Sequence, residues 1–260
     1  MATCTRVGMW PSRHGGMTAY GHIIKATRES DHMKTIAVLS QKGGTGKTTL
    51  ALHLAVAAEA AGHTAVVIDL DPQSSAAGWA ESRTGEGGPT VVIAHAPRLT
   101  SILETAATNG ATLAILDTAP HSQGDALAAA QAADAILIPC RPGILDLRAI
   151  GATVQIAKLA GKTAAVVLNA CPPQGRALAD EAEEAVKGYG LPVAPVRLVQ
   201  RAAFAHSLAG GQTAQEYEPS GKAAEEINQL YKWACHLVGM STTPQEDTNV
   251  ETHKPSHRTA

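Results

Sequence analysis

From residue 34 onward, short apolar runs alternate with longer segments in which alanine and leucine recur at helical spacing. The runs at 35–40, 64–69, 90–94, 112–117, 134–138 and 163–168 predict strands, with a shorter one at Val193 to Val196. Helices are predicted at about 47–61, 74–83, 98–108, 124–131, 144–159, 176–187, 200–208 and 220–238, the first ended by Gly62 in the cap position. Strands this apolar on both faces, separated by helices, predict an α/β fold in three layers. A mostly parallel central sheet is covered by helices on both faces. Ligands then sit at the carboxyl ends of the strands. The alternation does not extend to the ends of the chain. Residues 1–33, rich in Gly, His, Arg and Thr, predict a dispensable extension too short for a helix-turn-helix domain, and the polar stretch 240–260 predicts a disordered tail. One domain, 34–239, is expected between them.

A length of 260 residues suits one sizeable α/β domain. Hydrophobic residues make up 45% and aromatics only 3%, so small aliphatic side chains must do the packing. One Phe, three Trp and four Tyr leave few rings for stacking single-stranded nucleic acid. The net charge of -2 does not advertise a nucleic-acid binder, although it leaves room for a local basic patch. Cys4, Cys140, Cys171 and Cys235 form no C-x-x-C pair, which argues against a zinc site, an iron-sulfur site and a disulfide framework. No apolar stretch reaches the ~18 residues of a membrane span, and no secretion signal is recognisable, so a cytoplasmic location is expected.

The chemistry is concentrated after the first strand, in Lys42-Gly43-Gly44-Thr45-Gly46-Lys47-Thr48-Thr49. Glycines here let the backbone turn its N–H groups toward phosphate oxygens, and the following helix adds its positive end. Lys47 is placed to reach the β and γ phosphates, and the Thr48 hydroxyl to take a position on Mg²⁺. This is a P-loop nucleoside-triphosphatase pattern without its leading glycine and with one extra lysine, Lys42. Asp69 and Asp71 lie at the end of one strand and Asp117 at the end of another. Acids there can hold Mg²⁺ directly or through water and orient an attacking water. Lys42 has two readings: a solvated loop lysine, or a charge directed at a nucleotide in a facing subunit.

With Asp69-Leu70-Asp71-Pro72-Gln73 and Asp117-Thr118-Ala119-Pro120, the loop resembles the deviant Walker A ATPases of the ParA/MinD family. The likeness covers about residues 34–239. Within that family it is to the short plasmid- and chromosome-partition ParA proteins that lack an N-terminal DNA-binding domain. Further matches are Ile138 to Pro142, Arg201 to Phe204 and Ser220 to Ile227. The resemblance implies a Mg²⁺-dependent ATPase with weak turnover that a partner stimulates. ATP would close a sandwich homodimer in which Lys42 reaches the partner's phosphates. Asp71 would position the hydrolytic water, while Thr48, Asp69 and Asp117 would serve the metal and its waters. Gly43, Gly44, Thr45, Gly46, Lys47, Thr48 and Thr49 would bind the phosphates. Asn169 would lie near the adenine; an Asx turn is the alternative.

The same resemblance implies that the closed dimer binds nonspecific double-stranded DNA and is nucleoid-associated. A small centromere-binding protein, ParB-like or ribbon-helix-helix, would release it. Arg197, Arg201, Lys222 and Lys232 are the candidate DNA contacts, although Glu216, Glu218, Glu225 and Glu226 share their segment. His121, just beyond the Asp117 strand, reads as a switch-loop or dimer-contact residue. A MinD-like membrane ATPase would need an amphipathic C-terminal helix, which Ser241 to Ala260 does not supply. Two alternatives to partition remain. One is a ParA-like ATPase that positions a protein cargo. The other is a nucleotide-gated DNA-binding scaffold with negligible turnover.

Overall fold

The computed structural model describes residues 32–84 and 87–244. Its six strands are β1 (Lys34–Val38), β2 (Ala65–Asp69), β3 (Thr90–Ile93), β4 (Leu113–Asp117), β5 (Ala135–Cys140) and β6 (Thr163–Leu168). They form one sheet in the order β3-β2-β4-β1-β5-β6, and every neighbouring pair is parallel. The nine helices of the described residues are α1 (Lys47–Ala60), α2 (Ser75–Ser82), α3 (Leu99–Thr108), α4 (Gln123–Ala132), α5 (Ile144–Ala160), α6 (Arg176–Lys187), α7 (Ala202–Ala209), α8 (Ala214–Tyr217) and α9 (Lys222–Leu237).

The strands alternate their side chains between two cores, as the pleat requires. Ala37, Ile68, Leu116, Ile136 and Val166 face the core built with α4, α5 and α6. Ile36, Val38, Val67, Ile115 and Leu137 face the opposite core, with α1 and α9. The predicted three layers are therefore present. Alanine explains the tight fit with so few aromatics: Ala126, Ala129 and Ala130 of α4 are buried on the sheet, and α1 buries every residue from Leu50 to Ala58.

Most predicted elements lie within two residues of those observed. Val193 to Val196 is a correction, because only Val193 makes a bridge, to Val166. Pro192 and Pro195 have no N–H to donate, so a ladder cannot propagate there. A 3₁₀ turn, Ala96–Arg98, and the single-turn α8 were not predicted. The expectation for residues 1–33 falls almost wholly outside the described residues, as does that for the tail beyond 244. Residues 241–244 fold back on the domain, where the Ser241 carbonyl meets His63 Nε2 at 3.1 Å.

Candidate functional site

The sheet order brings the carboxyl ends of β1, β2 and β4 side by side. Asp69 and Asp117 are register partners on β2 and β4, and Asp117 also pairs with Val38 at the end of β1. The Thr118 hydroxyl donates to the Val38 carbonyl at 2.9 Å, closing the gap between the two strand ends. The loop from Gln41 to Gly46 emerges there and runs into α1.

The loop is held from several sides. The Gln41 amide donates to Thr153 Oγ1 on α5 at 3.1 Å. Asn169, at the end of β6, donates from Nδ2 to the Thr45 carbonyl at 2.7 Å, and its Oδ1 accepts the Ala170 amide at 2.8 Å. Both polar atoms of Asn169 are thus used within the protein, and Ala170 is turned to φ 50°. Gly46 has φ 93°, and a Cβ there would run into Asn169 Nδ2, so the loop needs a glycine at this point for two reasons.

The charges around the loop differ sharply in how they are satisfied. Lys47 is only 6% exposed, and its ammonium makes a long 3.5 Å contact with the Lys42 carbonyl. Burial lowers its pKa, while Asp117 and Asp71 favour its charge. Asp117 is fully buried, and neither carboxylate oxygen has a hydrogen-bond partner. Burial pushes it up to about 7; Thr48 and Lys47 pull it back, and Asp69 and Asp71 add to the rise. Asp69 is buried too, but its Oδ1 accepts the Asp71 amide at 3.0 Å, and its Oδ2 accepts the Ala76 and Ala77 amides at 3.0 and 3.3 Å. Burial raises its pKa, against the pull of those three amides. Asp69 therefore ties the Asp71 turn to the start of α2. Asp71 itself is half-buried and caps the turn through the Gln73 amide at 2.9 Å. Ser74 completes that turn at φ 48°.

A buried, unpartnered carboxylate beside Lys47 and the Thr48 hydroxyl fits a divalent cation and its waters, since an unpaired buried acid is otherwise costly. Among the described residues, no three His, Cys, Asp or Glu side chains converge on one point, so Asp69, Asp71 and Asp117 do not form one three-carboxylate cluster. Lys42 makes an ion pair with Asp146, in the first turn of α5, at 2.9 Å. Sequence reasoning did not single out Asp146. Its only signal is an acid in a helix's first turn, and the strand order alone puts that helix next to the loop.

Strand ends, loop and acids together match the family model described as the CobQ/CobB/MinD/ParA nucleotide binding domain over residues 36–214. The chain belongs to this family. With the loop and fold come the family's nucleotide binding and hydrolase-type chemistry, ATP being the nucleotide they imply. The chain is 36% identical, over 78% of its own length and 93% of the relative's, to the maintenance of carboxysome distribution protein A of Gloeobacter kilaueensis. It is 29% identical to the protein of the same name from Halothiobacillus neapolitanus, over 75% of the chain and 94% of that relative. Among solved structures it resembles Cyanothece apo McdA, with a TM-score of 0.62, 18% identity, and coverage of 76% of this chain and 99% of that one. At that identity the likeness shows the fold.

These findings correct the partition reading. The relatives matched along nearly their whole length are carboxysome-distribution proteins, so the plasmid- or chromosome-partition assignment is withdrawn. The nonspecific duplex DNA, the centromere-binding protein and the nucleoid association it implied go with it. Two of the four candidate basic residues are engaged within the chain. Arg197 is paired with Asp180 and Glu183, and Arg201 with Glu226, whose other oxygen accepts the Val199 amide. These arginines brace the 197–201 segment against α6 and α9. Lys222 and Lys232 are exposed on α9, a helix that also exposes Glu225. Among the described residues, no helix is long and apolar enough to cross a membrane.

Proposed function

We propose that this chain is an ATPase that positions a protein cargo, of the carboxysome kind named in its relatives. The alignment along nearly the full length of a carboxysome-distribution protein carries the reading, and the intact loop supports it. Its partners would be a second copy of itself and an adaptor protein bound to the cargo, which stimulates hydrolysis.

The site divides the work among its own residues. The amides of Gly43, Gly44, Thr45 and Gly46 cradle phosphate, and Lys47 and Thr49 complete the cradle at the start of α1. Burial of Lys47 strengthens its attraction for phosphate, because little water competes. Thr48 and Asp117 would hold Mg²⁺, which neutralises charge developing on the phosphates. Asp71 orients the attacking water from a turn that Asp69 anchors. Asn169 sets the shape of the loop by gripping Thr45. Lys42 acts on the nucleotide of the facing copy.

The test is cargo spacing in the native host. Lys47→Ala should collapse evenly spaced cargo into few clusters while the cargo still assembles, as seen by fluorescence of a cargo component. Unchanged spacing would overturn the reading. In vitro, the cargo-bound adaptor should raise phosphate release from ATP.

A further inference from the structure

Lys42 sits in the loop with its backbone and side chain facing different neighbours. Its carbonyl is approached by Lys47 Nζ and Thr45 Oγ1, each at 3.5 Å, and its amide donates to Ser40 Oγ at 3.3 Å. Its ammonium instead meets Asp146 Oδ1 at 2.9 Å. The Asp146 backbone is fixed in the first turn of α5, where its amide donates to the Gly143 carbonyl at 2.9 Å. The acid side chain is 15% exposed and the lysine side chain 36%. Next to Asp146, Ile144 and Leu145 are 62% and 69% exposed, so the pair lies beside an open apolar surface.

We propose that Asp146 is a positioning residue for Lys42. Its carboxylate holds the ammonium within its own chain, away from its own phosphate cradle. Closing of the ATP dimer exchanges that ion pair for the phosphates of the facing copy's nucleotide. This rests on the reading of Lys42 as acting across the dimer.

The exchange is physically suited to a switch. An ion pair with one partner a third exposed is weak, since water screens it. A triphosphate offers more negative charge and more acceptor oxygens than one carboxylate. A facing nucleotide therefore outcompetes Asp146 for the lysine. Dimerisation then depends on ATP in the other copy, and a lone chain keeps its trans-acting charge occupied.

Sedimentation velocity across a titration of ATP with Mg²⁺ tests this in the full chain. Asp146→Asn should lower the ATP concentration for half-maximal self-association by about two- to fivefold, the range in which such a pair alters an equilibrium. Asp146→Glu, which keeps the charge, should behave as wild type. Thermal melts of both variants check folding. Asp146→Asn added to Lys42→Ala should change nothing further, because the cycle isolates the pair. An equal effect of Asp146→Asn with and without Lys42 would mean a role in α5 alone and would overturn the proposal. No shift, or a shift to higher ATP, would also overturn it while leaving a defective Lys42→Ala, and so the trans reading, intact. Normal ATP-driven self-association of Lys42→Ala would sink the trans reading and the proposal together.

Discussion

Two regions of this molecule treat charge in opposite ways. At the strand ends, Asp117 is fully buried with no hydrogen-bond partner, and Lys47 is nearly as deep with one long contact. Across the α1–α9 layer, the start of α8 satisfies its acid repeatedly. Glu216 accepts from both terminal nitrogens of Arg83, at 3.1 and 2.7 Å, and from the Thr213 amide and hydroxyl at 2.7 and 3.0 Å. Arg83 also donates to the Gly211 carbonyl and lies 4.7 Å over the Trp79 ring, although its Nε has no partner. Burial alone would raise the pKa of Glu216, yet these bonds hold it below its ordinary value. His53 joins the same region. Its Nε2 accepts the Ala214 amide at 3.0 Å, which leaves Nδ1–H to donate to the Thr49 carbonyl at 2.7 Å. One region spends its polar groups on holding α1, α2 and α8 together, and the other leaves them free for a ligand. A site is legible where the protein declines to satisfy itself.

The comparison breaks if the strand-end charges turn out to be structural. Lys47→Ala is expected to reduce phosphate release from ATP by on the order of 10² to 10³, as loss of a group that stabilises transferring charge does. Its thermal midpoint should be no lower than wild type, since a buried lysine is removed. A large fall in the midpoint would place Lys47 with the supporting region.

His53 sharpens the other side of the comparison. Burial depresses its pKa to about 4, against the pull of the Thr49 carbonyl and Glu216. A depressed imidazole contributes stability that is present above its unfolded value, near 6.5, and is lost as pH falls through about 4. The expected loss is about 3 kcal/mol between those limits. Asp117 works in the opposite sense, because its raised pKa gives stability that is lost as pH rises through about 7. Denaturant unfolding of wild type and His53→Gln over this range separates the two. Gln keeps an acceptor for Ala214 and does not titrate, so the difference between the curves should follow the imidazole. Parallel curves would refute the neutral-histidine tie.

Two smaller effects have opposite signs. Glu216→Ala should destabilise by about 2 kcal/mol, because it strands a largely buried Arg83, while ATP affinity of the folded protein stays close to wild type. Asp117→Asn should abolish turnover yet stabilise by about 1 kcal/mol, raising the thermal midpoint by about 2–4 °C. A midpoint that falls with Asp117→Asn would mean that the acid supports the fold.

Much of the architecture could be read along the chain because it is local. Strand apolarity and glycine punctuation predicted every major strand within two residues, and Gly62 does end α1, at φ 91°. The loop and the acids at 69, 71 and 117 were legible because strand tips beside a phosphate loop are chemically constrained. The division of labour among those acids was not. Asp69 is consumed by the Asp71, Ala76 and Ala77 amides, and only coordinates reveal that Asp117 is left without partners. Arg201 read as a candidate DNA contact because nothing local in the sequence shows that Glu226, one of several acids in the same segment, folds onto it. The helix α8 is one turn long, too short for any periodicity to announce it.

What the sequence determined by itself was the alternation of strand and helix, the parallel sheet with two covered faces, and a phosphate loop at one end of it. Backbone propensity, side-chain period and the conformational needs of glycine act over a few residues, so the chain states them directly. The tertiary structure decided the strand order β3-β2-β4-β1-β5-β6, and with it every long-range partnership. Asn169 grips Thr45 across 124 residues, Arg83 meets Glu216 across 133, and His53 meets Ala214 across 161. Which charges are paired and which stay available for a nucleotide depends on those meetings. They are set when the two cores close on the sheet, and no local pattern encodes them.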